Sequence, residues 1–245
     1  MVLVFGFGAG LLVSGILLAA LEASGVSVDD DTPGFTAAAT ALIDICFVAA
    51  VIGVTAMVIR PAPWQFGLRR GPFGNALLMA FIGVLAFFVF ELAYGAVFRP
   101  DNPQQVVDDL GANRSTGLLV LGAIVVIWIA PVCEEIVFRG FLFRVLRVRM
   151  SFWLAAVIDG VLFGLVHGSL VILPVLAFLG VVLCWVYERT GTLFAPIGIH
   201  ALNNAIAYGA ATDDGWTAAL AVAAAALAAC MLVPRLLPAR TPAPV

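Results

Sequence analysis

The sequence contains no lysine, only two histidines (His167 and His200), and little charge of either sign. Charged residues make up 11% of the 245 positions, where a soluble domain carries roughly a quarter. So few charges exclude a soluble enzyme and a disordered regulator, and there is no basic surface for a nucleic acid. Cysteine is equally sparse. Cys46, Cys133, Cys184 and Cys230 stand singly in apolar segments with no CxxC spacing, which argues against a disulfide framework, a thiolate metal site and a small secreted domain. HExxH, P-loop and GxSxG motifs are also missing, and with them three familiar hydrolase classes.

What is abundant is apolar. Hydrophobic residues reach 63% and the mean hydropathy is +1.13. A spanning helix needs about 20 mostly apolar residues, and eight such runs can be read: 2–21, 35–59, 73–98, 115–138, 152–167, 170–187, 192–211 and 216–233. The expected fold is all-α, a polytopic membrane protein of about eight transmembrane helices, with 1–245 forming one transmembrane domain. The breaks carry charge, Gly and Pro, as at Asp29-Asp30-Asp31-Thr32-Pro33-Gly34 and Arg60-Pro61-Ala62-Pro63. The fifth and sixth runs meet at Gly168-Ser169 without a charged break, so a seven-span count stays open. The run from Met1 to Leu21 reads as a first span rather than a signal peptide, because it lacks a basic leading region.

The arginines set the sidedness. With eight spans and a cytoplasmic N-terminus, Arg60, Arg69, Arg70, Arg139, Arg144, Arg147, Arg149, Arg189, Arg235 and Arg240 fall inside. Only Arg99 and Arg114 fall outside. Ten against two is a strong positive-inside bias, and the loop aspartates sort the opposite way. Both termini are therefore expected in the cytoplasm, and the location is the cell membrane, multi-pass.

Two glycine patterns read as packing. Gly6-Phe7-Gly8-Ala9-Gly10 sits inside an apolar run with no preceding strand, so it fails as a nucleotide loop. Gly160, Gly164 and Gly168 form a small-residue ridge that lets the fifth span approach a neighbour closely.

An ionisable side chain at the centre of a spanning helix costs about 2.5–3.5 kcal/mol, so each one needs a reason. Asp44 and Glu91 match no pattern and read as polar bundle contacts or groups reaching the interface. Asp159 lies two turns before His167 and reads as orienting it or as a packing residue. The remaining groups form a constellation. Glu135 and Arg139 are i and i+4 and can pair, leaving Glu134 for other work. His200 and Asn204 share a face in the same way, and both histidines are expected within spans.

A shielded glutamate can act as general base and then acid. Two neutral imidazoles and a carboxylate also suit Zn²⁺ with an open water position. An Asn amide or imidazole N–H can hold a tetrahedral oxyanion. These chemistries converge on amide hydrolysis by activated water in a polar cavity between helices. The partners expected are the lipid bilayer and a peptide or membrane-protein substrate.

Glu134-Glu135…Arg139, Phe163…His167 and His200…Asn204 resemble, in order, the EExxxR, FxxxH and HxxxN/D motifs of the CPBP family. These are the CAAX-protease and bacteriocin-processing (Abi) intramembrane proteases. Phe138-Arg139-Gly140 and the loop Gln65-Phe66-Gly67-Leu68-Arg69 are similar to the family as well, and the likeness covers about 60–211. The resemblance implies a bundle of about eight helices with a cavity opening toward the cytoplasm. It implies that Glu134 with His167 activates water, that His200 with Asn204 holds the oxyanion, and that Glu135 with Arg139 supports the site. Both a zinc site on His167, His200 and Glu134 and a metal-free glutamate base are compatible with it. Two other functions use the same groups: a proton-coupled transporter, for which no inverted repeat is visible, and a non-catalytic scaffold or immunity factor. Span counting places Glu134 near the inner end of span four and His167 near the outer end of span five. They meet only if these boundaries shift, as when Ile136 to Arg149 extends the fourth helix or lies partly in the membrane.

Overall fold

The computed structural model describes residues 34–98 and 112–237. The first apolar run and its glycines lie outside the described residues. Within them the chain is helical, with no strand. We number the helices α1 (Phe35–Ala56), α2 (Phe73–Phe98), α3 (Thr116–Arg147), α4 (Phe152–Leu165), α5 (Leu173–Thr190), α6 (Phe194–Ala211) and α7 (Trp216–Leu236). Each expected span from the second to the eighth overlaps one of them. By length and composition five can cross a membrane: α1, α2, α3, α5 and α7. The protein is a multi-pass membrane protein.

Local chemistry sets the helix ends. The Ser115 hydroxyl caps α3 by accepting from the Leu118 amide at 3.3 Å. Pro174 sits in the first turn of α5, and Gly191 closes that helix in a left-handed conformation at φ 65°. Three expected boundaries are corrected. α3 runs to Arg147 rather than to 138, about 48 Å at regular helical rise. It therefore exceeds the hydrocarbon thickness of about 30 Å and carries its last arginines beyond it. α4 ends at Leu165, so it spans about 21 Å and His167 lies outside it. α5 begins at Leu173, after a turn, rather than at 170.

The chain divides into two compact units. Among the described residues, the first contains α1, α3 up to Glu134, and Ala201–Ala226. Its core is built from small residues, including Ala37, Ala123, Ala205, Ala219 and Ala223, with Tyr208 buried among them. Small side chains let helices approach until backbones nearly touch, which substitutes for the hydrophobic drive that lipid does not supply. The Tyr208 hydroxyl donates to the Leu119 carbonyl at 2.7 Å, and the Asp213 amide donates to Asn113 Oδ1 at 3.2 Å.

The second unit contains Ala62–Phe98, Glu135–His200 and the end of α7. Here α4 packs along α5 through glycines. A Cβ on Gly160 would lie 2.5 Å from the Ala177 carbonyl oxygen, and one on Gly164 2.7 Å from Leu173 Cδ1. The third member of the expected ridge does not take part: Gly168 lies in the turn after α4, with open space around it. α2 packs on α5 by stacking Phe90 on Phe178, centroids 4.2 Å apart. The Gln65–Arg69 loop is tied to the start of α6. Leu193 N donates to Gly67 O at 2.9 Å, Thr192 Oγ1 to Arg69 O at 2.7 Å, and Arg69 Nε to Gly191 O. The same loop explains Gly140, since a Cβ there would lie 2.7 Å from the Phe66 carbonyl oxygen.

Candidate active site

α3 is irregular where the chemistry is concentrated. Val125–Ile129 and Ile136–Phe143 are π-helical, with α-helix between them. A π segment inserts an extra residue into a turn and leaves a backbone carbonyl in need of another partner. In the first unit that partner is supplied by Asn204, whose Nδ2 donates to the Val126 carbonyl at 2.9 Å. Its Oδ1 accepts from Asn203 at 3.3 Å. Glu134 is half-buried in the same unit, and Asp44 on α1 is close enough for their charges to interact. Cys133 shares this environment and feels both carboxyls.

In the second unit the structure brings Glu135, Arg139 and His200 together. Arg139 Nη1 donates to Glu135 Oε1 at 2.8 Å, and His200 Nδ1 lies 3.0 Å from the same oxygen. Glu135 and Arg139 expose no side-chain surface, and His200 is nearly as buried. The Arg139 guanidinium also donates through Nη2 to the Gly180 carbonyl at 3.1 Å and lies over the Phe163 ring at 4.6 Å. Asp159 approaches Arg139 Nε at 3.4 Å and accepts from the Cys184 thiol at 3.1 Å. The expectation that Asp159 orients His167 is thus replaced by a contact with Arg139. Sequence spacing pointed along α4, whereas its partner comes from α3.

Phe163 sits at the centre of this cluster. Its ring centroid is 5.0 Å from that of His167 and 5.5 Å from that of His200. His167 is exposed, beyond the end of α4, with Nδ1 2.8 Å from the Phe163 carbonyl oxygen. A carbonyl only accepts, so this bond assigns the proton of a neutral His167 to Nδ1 and the lone pair to Nε2. The carboxylate at His200 Nδ1 assigns that ring the same way. Both imidazoles are therefore anchored through Nδ1.

Sequence reasoning missed Cys184 and the Gly180 carbonyl. Neither carries a local signal, since their roles come from the packing of α5. Among the described residues no group of three His, Cys, Asp or Glu side chains forms a ready metal site.

Residues 116–206 match the family described as type II CAAX prenyl endopeptidase Rce1-like, and that segment holds all three motifs. Over that segment the chain is similar to the CPBP-type family whose motifs it resembles. It is 29% identical over 171 residues to "Putative membrane peptidase YdiL" of Bacillus subtilis (strain 168), covering 65% of this chain and 67% of that protein. It is 30% identical over 147 residues to an "Uncharacterized 24.3 kDa protein" of Escherichia coli, covering 58% of this chain and 65% of that one. The chain thus spans about two thirds of the length of these relatives. No solved structure matches it. These similarities support the coarse assignment of a membrane protease and give the buried Glu135–Arg139 pair a functional context.

Proposed function

We propose that the chain is an intramembrane endopeptidase that hydrolyses a peptide bond with activated water. The observation that carries this reading is the single oxygen Glu135 Oε1, shared by Arg139 and His200 against the ring of Phe163. One buried cluster thereby contains residues of all three family motifs. A lone salt bridge at a helix end has no need of such an arrangement.

The roles follow each residue's match to its motif. Glu134 is the general base: it takes a proton from water as the oxygen attacks the carbonyl carbon, with His167 supporting that proton transfer. The tetrahedral oxyanion is held by His200 and by the second amide N–H of Asn204, the first being committed to Val126. The C–N bond then breaks and the proton on Glu134 passes to the leaving amine. Glu135 and Arg139 hold His200 in place. The substrate is a peptide or a segment of a membrane protein, presented from the bilayer.

The test is peptide cleavage by the purified protein in liposomes. Glu134→Ala and His167→Ala each abolish it, and full activity in both variants refutes the assignment. A zinc ion on His167, His200 and Glu134 would supply a Lewis acid and a bound hydroxide. Chelation followed by zinc addition separates that version from the glutamate base, because only the zinc version loses and regains activity.

The topology belongs to the same proposal: eight spans in the cell membrane, with both termini cytoplasmic. Contacts within each unit support the loop assignment. Arg147 meets Glu188 and Asn75 donates to the Arg189 carbonyl, all in inner loops or at their edges. Tyr94 donates to the Val171 carbonyl, and Asp213 to Asn113, all on the outer side. Labelling of single cysteines placed at Arg70 and at Asp214 from either face of sealed vesicles tests it.

A further inference from the structure

We infer that Asp159 is a positioning residue that sets the orientation of His200 through Arg139 and Glu135. The inference rests on the reading of His200 as part of the peptidase site. Neither Asp159 nor Cys184 belongs to the motifs, and both are fully buried on helices that flank the motif residues.

The argument is geometric. A guanidinium is a planar fork with donors on three sides, so each further contact narrows its orientation. Arg139 is hydrogen-bonded on two sides, Nη1 to Glu135 at 2.8 Å and Nη2 to the Gly180 carbonyl at 3.1 Å, and faces the Asp159 carboxylate on the Nε side in an ion-pair contact of 3.4 Å. Phe163 covers its face at 4.6 Å. Remove the Asp159 charge and the Nε side loses its electrostatic anchor, so the fork can pivot about the Gly180 contact and carry Glu135 Oε1 with it. That oxygen is the one 3.0 Å from His200 Nδ1. Asp159 is fixed in turn by the Cys184 thiol, which donates to its Oδ2 at 3.1 Å. The chain of contacts is Cys184 to Asp159 to Arg139 to Glu135 to His200, and it is continuous within the second unit.

The experiment uses full-length protein labelled with ¹⁵N-histidine in detergent micelles or nanodiscs. The chain has two histidines, so two imidazoles are seen and His200→Gln assigns them. Asp159→Asn keeps the side-chain volume and removes the charge. The expected result is a shift of the His200 ring nitrogens while those of His167 stay in place. The contrast is decisive, because His167 follows the helix that carries Asp159 and would respond first to a general disturbance of α4. Unmoved His200 signals in folded Asp159→Asn, or equal movement of both rings, overturn the inference. In the cleavage assay the same variant lowers kcat about 10- to 100-fold with KM nearly unchanged, as expected for a small misplacement of a working group. Unchanged kcat also overturns it. If the wild-type protein cleaves no peptide, the peptidase reading fails, and the ring signals still decide whether Asp159 positions His200. Should Asp159→Asn not fold, Cys184→Ala, which removes the donor to Oδ2, gives a smaller shift of the same kind, and its absence is the overturning result.

Discussion

Arg139 and Glu135 form an ion pair of 2.8 Å in which neither side chain exposes any surface. Withdrawing two charges from water costs several kcal/mol per ion, and the attraction between them offsets this only when further polar contacts are satisfied. Arg139 meets that condition through Gly180, Asp159 and Phe163. Arg139→Ala leaves two carboxylates buried without their cation, and the loss of stability is about 3–5 kcal/mol, the range for breaking a buried pair. Arg139→Lys does not rescue it, because an ammonium cannot engage three directions in one plane. Thermal unfolding in detergent checks both variants, and a Lys variant as stable as wild type would contradict the reading.

Glu135→Gln separates folding from chemistry. The amide retains an acceptor oxygen for Arg139 but loses the charge that Arg139 and His200 share. The protein is expected to fold with reduced stability, while peptide cleavage falls about 100-fold from the misplacement of His200. An isosteric variant that keeps wild-type kcat would remove Glu135 from the site.

Much of this was legible in the sequence, and the reasons are physical. Long apolar runs name their helices directly, because the bilayer imposes a length and every backbone group must be satisfied within its own segment. The Glu135–Arg139 pair is legible for a similar reason, since i and i+4 are neighbours in any helix. The π segments of α3 are not. They show no compositional signal, and they decide which carbonyl Asn204 must satisfy. His167 was expected at the end of the fifth span because no charged break precedes Gly168-Ser169, yet α4 stops at Leu165 and the chain turns at Gly168. Asp159 was misassigned because spacing records neighbours along one helix and says nothing about α3 lying across it.

Arg147 and Glu188 supply the contrast to the buried pair. They meet at the same 2.8 Å, but their side chains remain 21% and 26% exposed at the arginine-rich end of the second unit. Water and salt screen such a pair, and long side chains lose freedom on forming it, so its net worth is about 0–1 kcal/mol. Arg147→Ala should lower the unfolding temperature little, and the effect should shrink further in high salt. A loss as large as that of Arg139→Ala would mean that the Arg147 contact to the Met150 carbonyl, 2.9 Å, anchors the turn after α3.

Gly160 is where packing and chemistry meet. Its Cα lies 2.5 Å from the point where a Cβ on Gly180 would stand, and its own Cβ would lie 2.5 Å from the Ala177 carbonyl oxygen. Both obstacles are backbone, so no rotamer change can relieve them and α4 must move away from α5. Gly160→Val is therefore expected to cost about 1–3 kcal/mol from overpacking. The displacement has a chemical consequence as well, since the Gly180 carbonyl that holds Arg139 Nη2 sits at that contact. Gly160→Val should reduce cleavage beyond what its stability loss explains. Gly74→Val, on α2, where a Cβ meets nothing within 4 Å, should leave both stability and cleavage near wild type. Parallel unfolding and cleavage measurements on the two variants decide the matter: equal effects would show that close approach of α4 and α5 is not what places the guanidinium.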